Sequence, residues 1–169
     1  MHCNWYVIKS LSRSEKKTTL RLSKLGVVCF LPLIKTLKQW SDRKKKIEEP
    51  LIPGIIFVFC EENELINLYN VQGVHSILKY LNKPAIVKDV EIENLKILTN
   101  QSLESINKEN FIQIVHGDIV EVIKGPFIGL IGSCVKEQRH YKLLIKIDSL
   151  STSFSINISR SFVRLLKKN

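Results

Sequence analysis

Residues 48–60 read EEPLIPGIIFVFC: an acidic pair, two prolines three apart, a glycine, and an unbroken apolar run. Pro50 and Pro53 fix φ and remove two backbone donors, and Gly54 gives freedom for a sharp turn, so a strand is expected over 54–60. Prolines directly against the most hydrophobic strand raise the question of what the residues between them touch. Strand alternation puts only about half of residues 55–59 on one face. Either Ile56 and Val58 pack inward while Ile55 and Phe57 face a partner, or the reverse.

Working outward, WYVIK (5–9) is β-rich and opens a sheet, after which SLSRSEKKTTLRLSKLG changes to a helical period. Ser12 with Glu15 three residues on forms a candidate capping box, and Gly26 a helix stop. Arg13, Lys17, Arg21 and Lys24 recur at spacings of four, four and three, which makes one basic stripe. VVCFLPLI (27–34) reads as a second strand. The polar stretch 35–49 reads as a projecting hairpin with Arg43, Lys44, Lys45 and Lys46 near its tip. Beyond the quoted strand, ENELINLYNVQG suggests a short helix, VHSILKYL another strand, and KDVEIENLKIL a helix with Asp89 near its cap. The order β-α-β-β-β-α-β-α implies helices packed on a mostly antiparallel sheet.

Residues 99–110 lose periodicity and read as a linker; residues 111–169 are short strands punctuated by Gly, Pro, Asp and Ser, the pattern of a small β-barrel. The expectation is an α+β chain of three parts: an α/β domain over 1–98, a linker over 99–110 and a barrel over 111–169.

The chain has 169 residues, is 44% hydrophobic and carries 26 Lys+Arg against 16 Asp+Glu, a net charge of +10. Such a field suits nucleic-acid phosphates, and equally acidic membranes or acidic proteins. The four cysteines Cys3, Cys29, Cys60 and Cys134 form no C-x-x-C, which favours buried free thiols and a reducing, cytoplasmic location. No long apolar segment opens the chain.

Little in the sequence points to catalysis. His2, His75, His116 and His140 show no metal-ligand spacing. Gly125, Gly129 and Gly132 lack the Lys-Ser/Thr and following helix of a phosphate loop, and tight strand turns explain them. There is no G-x-S-x-G, and the carboxylates cluster in polar runs such as Glu48-Glu49 and Glu61-Glu62. The reading is a non-enzyme with no cofactor and no metal.

Three patterns in fixed order, WYVIKSLSRSEKK, EEPLIPGIIFVF and GDIVEVIKGPFIGLIG, together resemble the NusG family of transcription elongation factors. The first two look like the family's amino-terminal domain, and the third like a KOW motif through Gly117, Asp118, Val120, Val122, Gly125, Pro126, Phe127, Gly129 and Gly132. EEPLIPGIIFVF and KPAIVKD lean toward the specialised RfaH-like and capsule-locus antiterminator branch.

The resemblance implies a NusG-type α/β sandwich joined to an SH3-like KOW barrel. It also implies docking of an apolar patch on the clamp helices of the largest catalytic RNA polymerase subunit, bridging the cleft over DNA. The implied polymerase contacts are Tyr6, Phe30, Leu51, Ile52, Pro53, Ile55 and Phe57; the other reading of these residues is core. The family usually has aromatics at the positions of Ile52 and Ile55, so rigid anchors are missing there. Implied contacts to upstream duplex or the non-template strand are Lys9, Arg13, Lys16, Lys17, Arg21, Lys24, Arg43, Lys44, Lys45, Gln72 and His75, set against a merely solvated charged face. Phe127, Ile128, Phe154 and Ile156 are the implied KOW contacts to Rho or a small-subunit ribosomal protein; Phe127 would otherwise plug the barrel. A KOW domain that switches to helix is disfavoured by the β-branched, glycine-rich VEVIKGPFIGLIG. The alternative function is a ribosome-associated or RNA-binding KOW protein.

Overall fold

The computed structural model of the chain describes residues 2–39, 44–100, 106–110, 117–137, 140–158 and 162–167. Two compact units are present, Met1–Asp89 and Val90–Asn169.

The first unit runs β1 (Asn4–Ser10), α1 (Glu15–Lys24), β2 (Val28–Phe30), β3 (Leu33–Gln39), β4 (Lys44–Pro50), β5 (Ile55–Cys60), α2 (Leu65–Leu68), β6 (Val74–Ile77), β7 (Lys79–Tyr80), β8 (Lys83–Pro84) and β9 (Ile86–Val87). Its main sheet has the order β2-β5-β1-β6, with β9 also pairing β1, and every one of these pairings is antiparallel. The apolar strand of the PLIPG stretch is therefore central, paired on both sides. Tyr6 and Ile8 of β1, Ile56, Val58 and Cys60 of β5 and Ile77 of β6 form one core with Leu22 of α1, Leu65 and Leu68 of α2, and Val71. Burial of each large aliphatic there contributes roughly 1.5–3 kcal/mol, which is what holds both helices on this face.

Three expectations change in detail. Helix α1 starts after Ser14, and its first residue, Glu15, is drawn into a tertiary contact, so the Ser12–Glu15 capping box does not form. The strand expected over 27–34 is broken at Leu31-Pro32, because Pro32 cannot donate to a ladder. The strand expected from VHSILKYL ends at Ile77, and Lys79–Tyr80 turn back into a separate two-residue ladder with Lys83–Pro84. The helix stop at Gly26 is present, with φ +82 and its N–H bonded to Ser23 O. The projecting hairpin is β3 against β4, in register from Leu33↔Pro50 to Gln39↔Lys44; Arg43 lies outside the described residues.

The second unit holds α3 (Asp89–Thr99), β10 (Ile106–Asn110), β11 (Ile119–Val122), β12 (Ile131–Glu137), β13 (His140–Ile147), β14 (Thr152–Ile158) and β15 (Val163–Lys167). The strands form an antiparallel sheet of order β10-β14-β13-β12-β11-β15. Among the described residues its ends, β10 and β15, do not pair, and the small barrel expected from the sequence is seen there as a path of six strands with no closure found. β10 falls in the stretch read as linker; a ladder needs only backbone groups, so strand periodicity was not there to be read. Val120, Val122, Leu130, Leu143, Ile145, Ile147, Phe154 and Ile156 are buried in this unit.

Candidate interaction surfaces

The register of β1, β2 and β5 divides the central sheet into two faces. Tyr6↔Val58 and Ile8↔Ile56 look toward α1 and α2, whereas Trp5↔Phe59, Val7↔Phe57 and Lys9↔Ile55 look the other way, joined by Phe30↔Phe57 and Val28↔Phe59. Ile56 and Val58 therefore belong to the helix-side core, and Ile55 and Phe57 to the opposite face. Four aromatics gather on that face: Phe30 stacks on Phe57 with ring centroids 6.1 Å apart, and Trp5 lies 5.3 Å from Phe59. Trp5, Phe30 and Phe59 are half-buried and Phe57 fully buried.

The PLIPG turn is folded back onto the sheet. The Leu51 N–H donates to Pro32 O at 2.8 Å, the Ser10 N–H to Gly54 O at 2.8 Å, and the Gly54 N–H to Glu15 Oε1 at 2.9 Å, with Gly54 at φ +76. Held at three points, the turn buries Leu51, Ile52 and Ile55, Ile52 being 6% exposed, and leaves only Pro53 at the surface. The expectation that Leu51, Ile52 and Ile55 aim outward is corrected by these bonds. Tyr6 likewise lies in the helix-side core, separated from Phe30 and Phe57 by the sheet, and burial pushes its phenol above the ordinary tyrosine value.

Apolar side chains that a partner can reach lie elsewhere in the unit. Tyr80 is 71% and Leu81 82% exposed at the tip of the β7–β8 turn, where Leu81 and Asn82 hold φ +49 and +64. A bulky residue in the left-handed region costs about 1–2 kcal/mol. Val28 on edge strand β2 and Ile86 on β9 are also exposed. The sequence signal was the two-residue spacing in Tyr80-Leu81-Asn82-Lys83, hidden by the absence of glycine from the turn.

The basic residues are distributed rather than gathered. On α1, Glu15, Thr18 and Leu22 face the core, so Lys16, Lys17 and Lys24 are exposed on the outer side and Arg21 is half-buried. Arg21 Nη1 donates to Gln72 O at 2.8 Å, and Lys16 Nζ lies 3.4 Å from Glu48 Oε2. Arg13 is in the turn before the helix, at φ +59, and Gln72 and His75 are exposed beside α1's end of the sheet, tied there by the Arg21 bond and by the Leu11 N–H to Gly73 O contact. Lys9 sits on the aromatic face opposite Ile55, away from the helix stripe. Lys44 and Lys45 are placed on β4, facing Gln39 and Lys38 in the ladder.

In the second unit, Phe127, Phe154 and Ile156 are buried, correcting their reading as contact residues: β14 pairs Phe154 with Ile145 and Ile156 with Leu143 on the core face. Ile128 alone of the four is at the surface, 60% exposed. Among the described residues no cluster of three His, Cys, Asp or Glu side chains could hold a metal. Cys3, Cys29, Cys60 and Cys134 are free thiols, and burial, aided by Glu64, pushes Cys60 up to about 11. No described helix is long and apolar enough to cross a membrane.

The chain combines an α/β unit with a second unit made mostly of β-strands. A model of the family described as transcription termination factor nusG matches residues 3–96. The chain belongs to the NusG family, non-enzymatic transcription factors whose members interact with RNA polymerase. Among solved structures it is similar to Thermotoga maritima NusG, in a study of domain interaction, at 21% identity and TM-score 0.49 over 99% of both chains. It is also similar to the MjSpt4:Spt5 complex in conformation A, at 16% identity and TM-score 0.30 over 98% of this chain and 99% of the other. No curated protein matches it.

Proposed function

We propose that the chain is an elongation and antitermination factor of the RfaH-like kind, acting at selected operons. Its first unit docks on the clamp helices of the largest catalytic polymerase subunit and spans the cleft over DNA. The observation that carries this reading is the two-sidedness of one sheet: an aromatic face of Trp5, Phe30, Phe57 and Phe59, and on the other side a helix presenting Lys16, Lys17 and Lys24. A sheet with apolar rings on one side and cations on the other suits a protein surface and a phosphate backbone at once.

In this reading the polymerase contacts are the half-buried rings, Pro53 and the Tyr80–Leu81 tip, with Leu51, Ile52 and Ile55 supporting them from beneath. DNA is held by Arg13, Lys16, Lys17, Arg21 and Lys24, by Gln72 and His75 beside the helix, by Lys9 from the aromatic face, and by Arg43, Lys44 and Lys45. The second unit is a KOW module that recruits a small-subunit ribosomal protein or Rho through the surface around Ile128. The protein works in the cytoplasm, on polymerase transcribing the nucleoid.

The test is co-sedimentation of the full chain with cognate core RNA polymerase at physiological salt. Retention of wild type and loss with Tyr80→Ala/Leu81→Ser supports the reading. Retention of both moves the contact elsewhere on the unit. Failure of wild type to bind, with sedimentation on ribosomal subunits through high-salt washes, replaces it by a ribosome-associated role.

A further inference from the structure

The second unit exposes apolar side chains along one border, where β11 runs into its turn and β15 lies beside it. The Ile123 N–H, just past β11, donates to Phe162 O at 2.7 Å, and the Phe162 ring covers Gly125, where an added Cβ would meet two ring carbons at 3.2 Å. Gly125 holds φ +88, so the turn needs glycine for its backbone as well as for this ring. Ile128 belongs to the same turn through its N–H to Gly125 O at 3.3 Å. Ile123 and Phe162 nevertheless remain exposed.

Strand β15 continues this surface. Its ladder with β11 reads Val122↔Val163, Glu121↔Arg164 and Val120↔Leu165, then Ile119↔Lys167, so Leu166 is an extra residue in a bulge. Val120 and Val122 are buried, yet Leu165, opposite Val120, is exposed, and so is Leu166. The core thus extends past its cover at this border. Apolar side chains scattered singly over a surface need no partner, but Ile123, Phe162, Leu165 and Leu166 are joined by backbone bonds and strand pairing into one patch, the mark of an interaction surface.

Charge narrows the occupant. Segments 122–136 and 159–169, which frame the patch, contain no Asp or Glu. Glu121 is engaged by Arg164 Nη2 at 2.6 Å, whereas exposed Lys124 has no ion pair among the described residues. A second copy docking through the same patch would set its cations against each other. A nucleic acid would satisfy the lysine but leave the isoleucine and two leucines unanswered, since such interfaces are polar. An acidic protein segment carrying apolar side chains matches both features.

We infer that Ile123, Phe162, Leu165 and Leu166 form a docking surface for an acidic, apolar segment of a partner protein, with Lys124 at its rim. Phe127, Phe154 and Ile156, singled out by the family resemblance, are buried and take no part. The inference rests on the recruiting role proposed above for the second unit and adds the class of segment recruited. It is independent of what the first unit binds.

The test is NMR of the isotope-labelled full chain titrated with a short peptide in which Glu alternates with Leu and Phe. Saturable shifts are largest at Ile123, Lys124 and residues 162–166, and the same peptide with Lys in place of Glu leaves these amides unmoved. Leu166→Ser and Lys124→Glu each weaken the peptide by about tenfold. Both substitutions alter exposed side chains, and the amide dispersion of the β12–β13 ladder reports that each variant is folded. Shifts confined to the lysines of α1 overturn the inference, as do the absence of saturable shifts and a stronger perturbation of the same amides by an oligonucleotide. Shifts around Ile128 that spare residues 162–166 overturn this patch while the recruiting role of the second unit stands.

Discussion

Glu15 Oε1 accepts the backbone N–H of Gly54 at 2.9 Å, joining the first residue of α1 to the PLIPG turn across 39 positions of chain. The carboxylate is buried, 7% exposed, and its charge also favours the helix N-terminus. One side chain thereby fixes both the start of the cationic helix and the turn that feeds the central strand.

Glu15→Ala leaves the Gly54 N–H without its acceptor and is expected to cost about 1–3 kcal/mol, read as a lower urea midpoint with unchanged m. Glu15→Gln, which retains an oxygen acceptor, recovers most of the loss. Equal effects of the two substitutions would show that the charge, and not the hydrogen bond, matters.

Gly73 holds φ +101, and a Cβ placed there runs into Thr18 Oγ1 on α1. Gly73→Ala therefore strains the backbone and pushes α1 from the sheet, a loss of about 1–3 kcal/mol in thermal or urea unfolding. Thr18→Ala in the same chain relieves the clash but not the φ strain, so partial recovery is the expected result.

Alternation in WYVIK and IIFVF made the two-faced sheet legible, because a buried antiparallel strand must choose faces by parity. The helical period of residues 15–24 was legible from its spacing of about 3.6 residues, but not that Arg13 precedes the helix or that Arg21 turns to the Gln72 carbonyl. What escaped notice depended on partners far away in the chain. Glu15 looked like half of a capping box because its true partner, Gly54, is 39 residues distant. Ile52 looked outward because Pro53 and Gly54 announce a turn but not the side on which it folds. Leu81 reads as a continuation of the strand because the turn after Tyr80 carries Leu81 where glycine is usual.

Leu81 holds a left-handed conformation while exposing most of its side chain, a combination that costs stability without burying anything in the unit. Leu81→Gly should raise stability by about 0.5–1 kcal/mol while weakening retention on polymerase in the sedimentation assay. A variant that is more stable and binds equally well would remove Leu81 from the contact.

The thiol of Cys60 is pushed from 9.0 up to about 11, chiefly by burial. Below pH 9.0 it is protonated in both folded and unfolded chains, and its contribution to stability is complete. Between 9.0 and about 11 the unfolded chain ionises first, so stability falls as pH rises through this window. Cys60→Ala should flatten that part of the urea-midpoint profile. In the native wild type at pH 8, a thiol reagent should label exposed Cys3 well before Cys60.

If α1 meets a phosphate backbone, its exposed lysines act through counterion release and leave a signature in salt dependence. Lys17 and Lys24 have no ion pair among the described residues, whereas Lys16 sits 3.4 Å from Glu48. Lys17→Ala and Lys24→Ala should each reduce the slope of log K against log salt by about 0.7–0.9, measured by fluorescence anisotropy on single- and double-stranded DNA. Lys16→Ala should change it less, because Glu48 already neutralises part of that charge. Arg21→Ala carries a different expectation: its guanidinium holds the Gln72 carbonyl, so its loss frees the segment bearing Gln72 and His75 and lowers affinity more than the slope predicts. Slopes unchanged in Lys17→Ala and Lys24→Ala would mark α1 as a solvated face and shift the DNA contact to the β3–β4 hairpin.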